Sequence, residues 1–264
     1  MKSVKRVVVA AVLMLFSCKK IVTLKLNNVP PAIVIQGEVT NMGGPYYVTI
    51  NQPVDFYADN SFPPVSGATV VITSSNGETD SLIEVSSGTY ATNSLLGFPG
   101  ITYQLSVTVQ GVNYTAVSTM PLAVPLDSIN FQINSGFGRT QTSAIANFQD
   151  PGVGRHYYQF EEYINDQQDT KDLFVFDDRL SIGRYINLTL YNDSAYLQPG
   201  DQLKVSMYCI DSAIYNYFYQ LEQSGGAGSF NTSASPANPT SNISNGAYGY
   251  FSAHTVSSQS EYVP

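Results

Sequence analysis

The chain has 264 residues, with 12 lysines and arginines against 20 aspartates and glutamates and a formal charge of −8. That balance argues against nucleic acid as a partner, because displacing counterions from a phosphate backbone takes a basic face. Elements are taken from the N-terminus. Met1 to Arg6 is basic and Val7 to Phe16 is an apolar run of ten residues, followed by Ser17 and Cys18. A membrane-spanning helix needs roughly 20 apolar residues, so this run reads as the core of a cleavable leader. Leu15-Phe16-Ser17-Cys18 has the form of a bacterial lipobox, in which Cys18 takes the lipid and cleavage falls just before it. Residues 1–17 are therefore expected to be a lipoprotein signal peptide, and 18–29 a tether at the membrane. Loss of Lys2, Lys5 and Arg6 with the leader makes the remainder more acidic. Lys19, Lys20 and Lys25 form a basic cluster beside anionic headgroups, where each contributes about 1 kcal/mol.

From residue 30 onward alternation with period two dominates. Tyr103, Leu105, Val107 and Val109 interleave with polar residues, giving a half-buried antiparallel strand. Gly111 interrupts the pattern and Val112 to Thr119 resumes it as the second arm of a hairpin. Asn76-Gly77, between Thr69–Thr73 and Leu82–Val85, predicts a type I′ turn. With Ile33–Val39, Tyr46–Gln52 and Thr89–Thr92 added, residues 30–120 predict an immunoglobulin-like β-sandwich. Met120 to Leu126 contains two prolines, and 121–126 is expected to be a stiff linker.

A second β-rich domain is expected over 127–264, with strands at Asp127–Ile133, Ser143–Phe148, His156–Ile164, Arg184–Tyr191 and Leu203–Cys209. Cys209 shares a strand face with Leu203, Val205 and Met207 and reads as a small buried hydrophobe. Asp211 or Ser212 caps a predicted helix at 212–223, whose Ile214, Tyr217, Phe218 and Leu221 form an apolar stripe. A polar loop at 224–245 follows, and strands at Gly246–Phe251 and Ala253–Val263 close the second sheet. The fold class is mainly all-β, in two sandwich-like domains of which the second carries one helix.

Several segments in order carry a resemblance to a known family. They are Cys18, Val34-Ile35-Gln36-Gly37-Glu38-Val39-Thr40, Pro64-Val65-Ser66-Gly67-Ala68-Thr69-Val70, Asp127-Ser128-Ile129, Leu197-Gln198-Pro199-Gly200-Asp201, the helix at 211–222, and the tail from Asn238 to Phe251. Together they resemble the Bacteroidetes lipoproteins described as domain of unknown function four-two-four-nine. The resemblance implies a lipid-anchored outer-membrane protein encoded near TonB-dependent receptors, with a role in nutrient capture. It carries no catalytic residues. Lys19 and Lys20 stand where an acidic surface-export signal is common in such lipoproteins, so the membrane face stays open.

No residues form a recognisable catalytic set. There is no GxSxG elbow, and His156 and His254 have no metal-ligand spacing, so no enzyme activity, metal or cofactor is expected. Gly152-Val153-Gly154 lacks the third glycine of a dinucleotide loop and reads as a turn. Asp166, Asp169, Asp172, Asp177 and Asp178, with Lys171 and Arg179 among them, read as a solvated loop, although a Ca²⁺ site is the alternative. Tyr215 and Tyr219 lie beside the helix stripe and are the candidate partner-binding residues. Asp-Ser-apolar triplets at Asp80, Asp127, Asp193 and Asp211 match a short O-glycosylation pattern but also fit turns and a helix cap. The expected function is that of an envelope accessory protein serving a TonB-dependent receptor, ligand unknown. The alternative is an independent glycan-binding or adhesin lipoprotein.

Overall fold

The computed structural model describes residues 33–53, 62–136, 139–170, 172–191, 197–225 and 238–264. The leader, Cys18, the tether, Lys171, Asp193 and most of the 224–245 loop lie outside the described residues. No described helix is long and apolar enough to cross a membrane.

The first eight strands are β1 (Val34–Thr40), β2 (Tyr47–Asn51), β3 (Thr69–Ser74), β4 (Thr79–Ser81), β5 (Ile83–Ser86), β6 (Thr89–Ala91), β7 (Thr102–Val109) and β8 (Val112–Thr119). Then come β9 (Ser128–Gly136), β10 (Arg139–Gln149), β11 (Tyr157–Ile164), β12 (Gln167–Gln168), β13 (Phe174–Asp177), β14 (Tyr185–Leu190) and β15 (Gln202–Ile210). Helix α1 (Ser212–Gly225) and the long strand β16 (Tyr248–Tyr262) complete the fold.

One large sheet runs in the order β12-β11-β15-β16-β1-β2-β6-β5, with β13 also paired to β11. Two smaller sheets, β4-β3-β7-β8 and β14-β10-β9, accompany it. Residues of β1, β2, β6 and the first half of β16 share one apolar core with β3 and β7, including Ile35, Val48, Tyr90, Phe251, Ile72 and Leu105. Residues of β11 and β15 share a second core with β9, β10 and β14, including Tyr158, Phe160, Met207, Phe148 and Leu190. This is a β-sandwich arrangement in which one long sheet serves two cores.

That sharing changes the expected domain plan. β16 pairs in parallel with β1, from Val34 opposite Tyr248 to Thr40 opposite His254, and antiparallel with β15 from Cys209 opposite Thr255 onward. Ala32–Pro264 is a single compact unit, so 121–126 connects two sandwiches that hydrogen-bond into one sheet. The expected strands 246–251 and 253–263 are one strand. Phe251 to Thr255 are all buried because both faces of β16 are covered, and a strand covered on both faces loses its alternation.

Gly249 is indispensable at this seam. Its φ is +91°, and a Cβ there would stand 2.0 Å from the Ile35 carbonyl oxygen. The predicted type I′ turn at Asn76-Gly77 is a different turn: only Gly77 has positive φ, and its N–H donates to Ser74 O at 2.9 Å. A type I turn followed by a left-handed glycine gives the same reversal. The turn with two left-handed residues is Gln110-Gly111, φ +49° and +83°, between β7 and β8.

Asp211 caps α1, its Oδ1 accepting from the N–H groups of Ala213 (2.9 Å) and Ile214 (3.0 Å). Its Oδ2 accepts from the Ser118 hydroxyl at the end of β8. Ile214, Tyr215 and Phe218 are buried with Ile210, whereas Leu221, expected in the buried stripe, is exposed. Cys209 is buried, as its strand alternation requires, and burial pushes its thiol pKa up.

Asp80 is a buried carboxylate holding a loop. It accepts from the backbone N–H of Asn93, Ser94 and Leu95 at 2.8 to 2.9 Å and from the Asn93 side chain at 3.0 Å. Burial works to raise its pKa, but these hydrogen bonds outweigh it and hold the carboxyl below its ordinary value. A depressed pKa contributes stability above the unfolded value near 4, lost as pH falls through the folded value. Asp80→Ala is expected to lower unfolding free energy by about 2–4 kcal/mol at pH 7. In urea titrations that deficit should shrink below about pH 3.5.

Candidate functional site

The face of the large sheet opposite the two cores carries a cavity of about 220 Å³. Alternation places the lining. On β11, Tyr158 and Phe160 enter the core, so Gln159, Glu161 and Tyr163 point the other way. On β15 Tyr208 alternates with the core residues Met207 and Cys209, and on β1 Glu38 alternates with Gly37 and Val39. On β16 Tyr250, Ser252 and His254 face the cavity, Phe218 of α1 walls one side, and Gln168 of β12 lies at its rim. Register aligns these rows: Gln159 stands opposite Tyr208 and Glu38 opposite Ser252.

Glu161 Oε2 accepts from the hydroxyls of Tyr208 (2.7 Å) and Tyr163 (2.9 Å). Burial, and then the charge of Glu161, push the Tyr208 and Tyr163 pKa values up, so both phenols stay protonated donors. His254 is buried, which lowers its pKa to about 4 and leaves it neutral at pH 7. Its Nδ1 and the Ser252 hydroxyl share a hydrogen bond of 2.9 Å, and its ring packs edge-on to Tyr208 at 4.9 Å. The Glu38 carboxylate sits 3.7 Å from His254 Nε2, half-exposed at the mouth. Partial burial and then the neighbouring Glu161 charge raise the Glu38 pKa. Lys204 Nζ lies 5.0 Å from the Tyr163 ring centroid.

The candidate helix residues fall elsewhere. Tyr215 is a correction: it is buried, its ring lies tilted against Tyr157 at 5.0 Å, and it donates to Asp177 Oδ2 at 3.0 Å. Its ring packs against residues of β11 and β13, which leaves little of it open to a partner. Tyr219 is exposed and stacks on Tyr215 at 5.8 Å.

The aspartates at 166–178, expected to lie in a solvated loop, are in part structural. Asp169 N–H bonds the Glu162 carbonyl, Asp177 pairs with Arg155 and Arg179, and Asp178 is fully buried. The Arg179 side chain beside Asp177 holds that carboxyl down at about 2. Asp178, Asp150 and His156 converge, their ligand-type atoms all within 4.8 Å, although their sequence spacing carries no metal signature.

Each carboxylate there already has a partner, although Asp178 Oδ1 makes no hydrogen bond and faces only the Arg155 guanidinium. Asp150 accepts from Tyr158 OH (2.7 Å) and Gly183 N–H (2.8 Å). Asp178 Oδ2 accepts from His156 N–H (3.0 Å) and lies 2.9 Å from His156 Nδ1, while Arg155 Nε stands 3.3 Å from its other oxygen. A cation would have to displace these donors, so the trio reads as a brace joining the ends of β10, β11 and β13. Gly152 and Gly154 belong to the turn leading into it.

A family description, Domain of unknown function (DUF4249), matches residues 19–260. The chain belongs to that family. No curated protein matches it. Among solved structures, the Yersinia pseudotuberculosis adhesin InvE aligns with 67% of this chain and 55% of its own, at 19% identity and a TM-score of 0.20. The chain thus spans about half the length of that adhesin, and a likeness this slight carries no argument.

Removing the Asp178 carboxylate takes from Arg155 and His156 the nearer of the two aspartates that each contacts. Asp178→Ala is expected to cost about 2–4 kcal/mol by chemical denaturation, while millimolar Ca²⁺ or Zn²⁺ leaves the wild-type Tm in place. A metal-dependent rise in Tm lost in the variant would refute the brace.

Proposed function

We propose that this DUF4249 protein is a lipid-anchored envelope binding protein that captures a small polar ligand in the cavity between β1, β11, β15, β16 and α1, in the service of a TonB-dependent outer-membrane receptor. The observation that carries the reading is the cavity itself. It is a small concave recess on a sheet, in which Glu, Gln, Ser and His side chains converge beside four aromatic residues, and convergent polar groups in a recess are what orients a small ligand. Strands from both sandwiches build its floor, so the fold holds the lining in fixed register. The basic, apolar, cysteine-ending leader supports the anchor, and the acidic composition supports a partner other than nucleic acid.

No reaction is proposed. Ser252 shares a hydrogen bond with His254 Nδ1 and Glu38 lies 3.7 Å from Nε2, but the Ser252 side chain is buried, so the pair is read as part of the cavity floor. An independent glycan-binding role is the second reading. It is favoured by the tyrosines and the Gln159 and Gln168 amides of the lining, which suit hydroxyl groups.

Fractionation and co-purification test the proposal together. Cys18→Ala is expected to move the protein from the membrane pellet to the soluble fraction, and the wild-type protein is expected to recover a receptor barrel from detergent extracts. Membrane association that survives the substitution would overturn the anchor. Anchored protein that never recovers a receptor would favour the independent glycan-binding reading.

A further inference from the structure

The charge balance of the cavity narrows its ligand. Its lining includes the carboxylates of Glu38 and Glu161 and the rings of Tyr163, Tyr208, Tyr250 and Phe218, and it includes no lysine or arginine. Lys204, at the edge, turns its ammonium onto the Tyr163 ring, so a ring of this site already holds a cation. Glu161 spends one oxygen on two tyrosine hydroxyls. The Glu38 carboxylate makes no hydrogen bond among the described residues and stands 3.7 Å from His254 Nε2. Gln159 is only 6% exposed, lines the cavity, and its side-chain amide likewise has no hydrogen bond among the described residues.

A half-exposed carboxylate and the amide of a nearly buried residue, neither hydrogen-bonded among the described residues, face one recess and are open to a ligand's donors. We infer that the cavity binds a small organic ammonium group, seated against the tyrosine rings and between Glu38 and Glu161. The inference rests on the proposed binding role of this cavity and names its ligand class. A cation between two carboxylates removes their mutual repulsion, which burial sharpens at Glu38. Aromatic faces attract the same cation through their quadrupoles, most strongly where water is excluded. The Gln159 carbonyl oxygen supplies a further acceptor for an N–H donor. The volume, about 220 Å³, suits an ammonium headgroup or an amine terminus and falls short of the roughly 300–1,000 Å³ of drug-sized pockets.

Calorimetric titration of the purified full chain with choline, its neutral isostere 3,3-dimethylbutan-1-ol, and glucose tests the inference. Choline is expected to bind at least about tenfold more tightly than the isostere. Glu38→Gln is expected to weaken choline about tenfold and leave the isostere unaffected. Glu161→Gln disturbs two tyrosine hydrogen bonds, so Glu38→Gln, whose carboxylate holds no structural bond, is the deciding variant. Glucose or the isostere binding as tightly as choline would overturn the ammonium assignment and leave the cavity as a neutral-ligand site. No binding of any of the three would overturn the assignment as well, and the membrane and receptor experiments would judge the accessory role separately.

Discussion

The structure depends on one pairing, that of β1 with β16. It is parallel, and it joins residues about 214 positions apart along the chain. Without it the first sandwich loses Phe251 and Ala253 from its core and the second sandwich stands apart. The pairing has a strict steric condition at its start, where Gly249 passes the Ile35 carbonyl at a distance no side chain tolerates. Large-to-small changes in cores of this kind cost several kcal/mol each, so the fully buried Phe251 anchors the seam as much as the hydrogen bonds do.

The cavity follows from the same pairing. A sheet that packs its inner face against two smaller sheets has its outer face free along the whole width. Helix α1 covers only part of that face, through Ile214, Tyr215 and Phe218. What remains beside Phe218 is the recess, its floor made of polar positions from β11, β15, β16 and β1. Asp211 fixes where the helix begins, and through Ser118 it ties that start to the end of β8. The aspartate brace at Asp150 and Asp178 performs a similar task at the far edge, holding β11 against β13.

Much of the fold is legible in the sequence because alternation is a local signal. Tyr103 to Val109, Leu203 to Cys209 and the helix beginning at Ser212 stand where their periodicities place them. The joining of the halves is not legible, because nothing local in Val34–Thr40 or Tyr248–His254 specifies that one is the other's partner. The cavity is hidden for a related reason. Gln159, Glu161, Tyr208, Ser252 and Glu38 occupy the outward positions of alternating strands, which read as ordinary solvent-facing residues until register sets them side by side. Tyr215 shows the reverse: its place beside the apolar stripe reads as surface, and only the packing of β13 against the helix buries it. The convergence of Asp150, His156 and Asp178 is equally a product of tertiary structure, since a carboxylate 28 positions from another carries no spacing signal.

The position of β16 in chain order has a kinetic meaning. β1 emerges first from a ribosome and finds its parallel partner only when residues 248–254 have been made. Neither apolar core closes before that strand arrives, since Phe251 belongs to one and Val263, just beyond its end, to the other. Contacts this distant in sequence are slow to form, and a chain that lacks them stays open. The molecule therefore completes its fold late, once the last strand has been made and can close the seam that both sandwiches share.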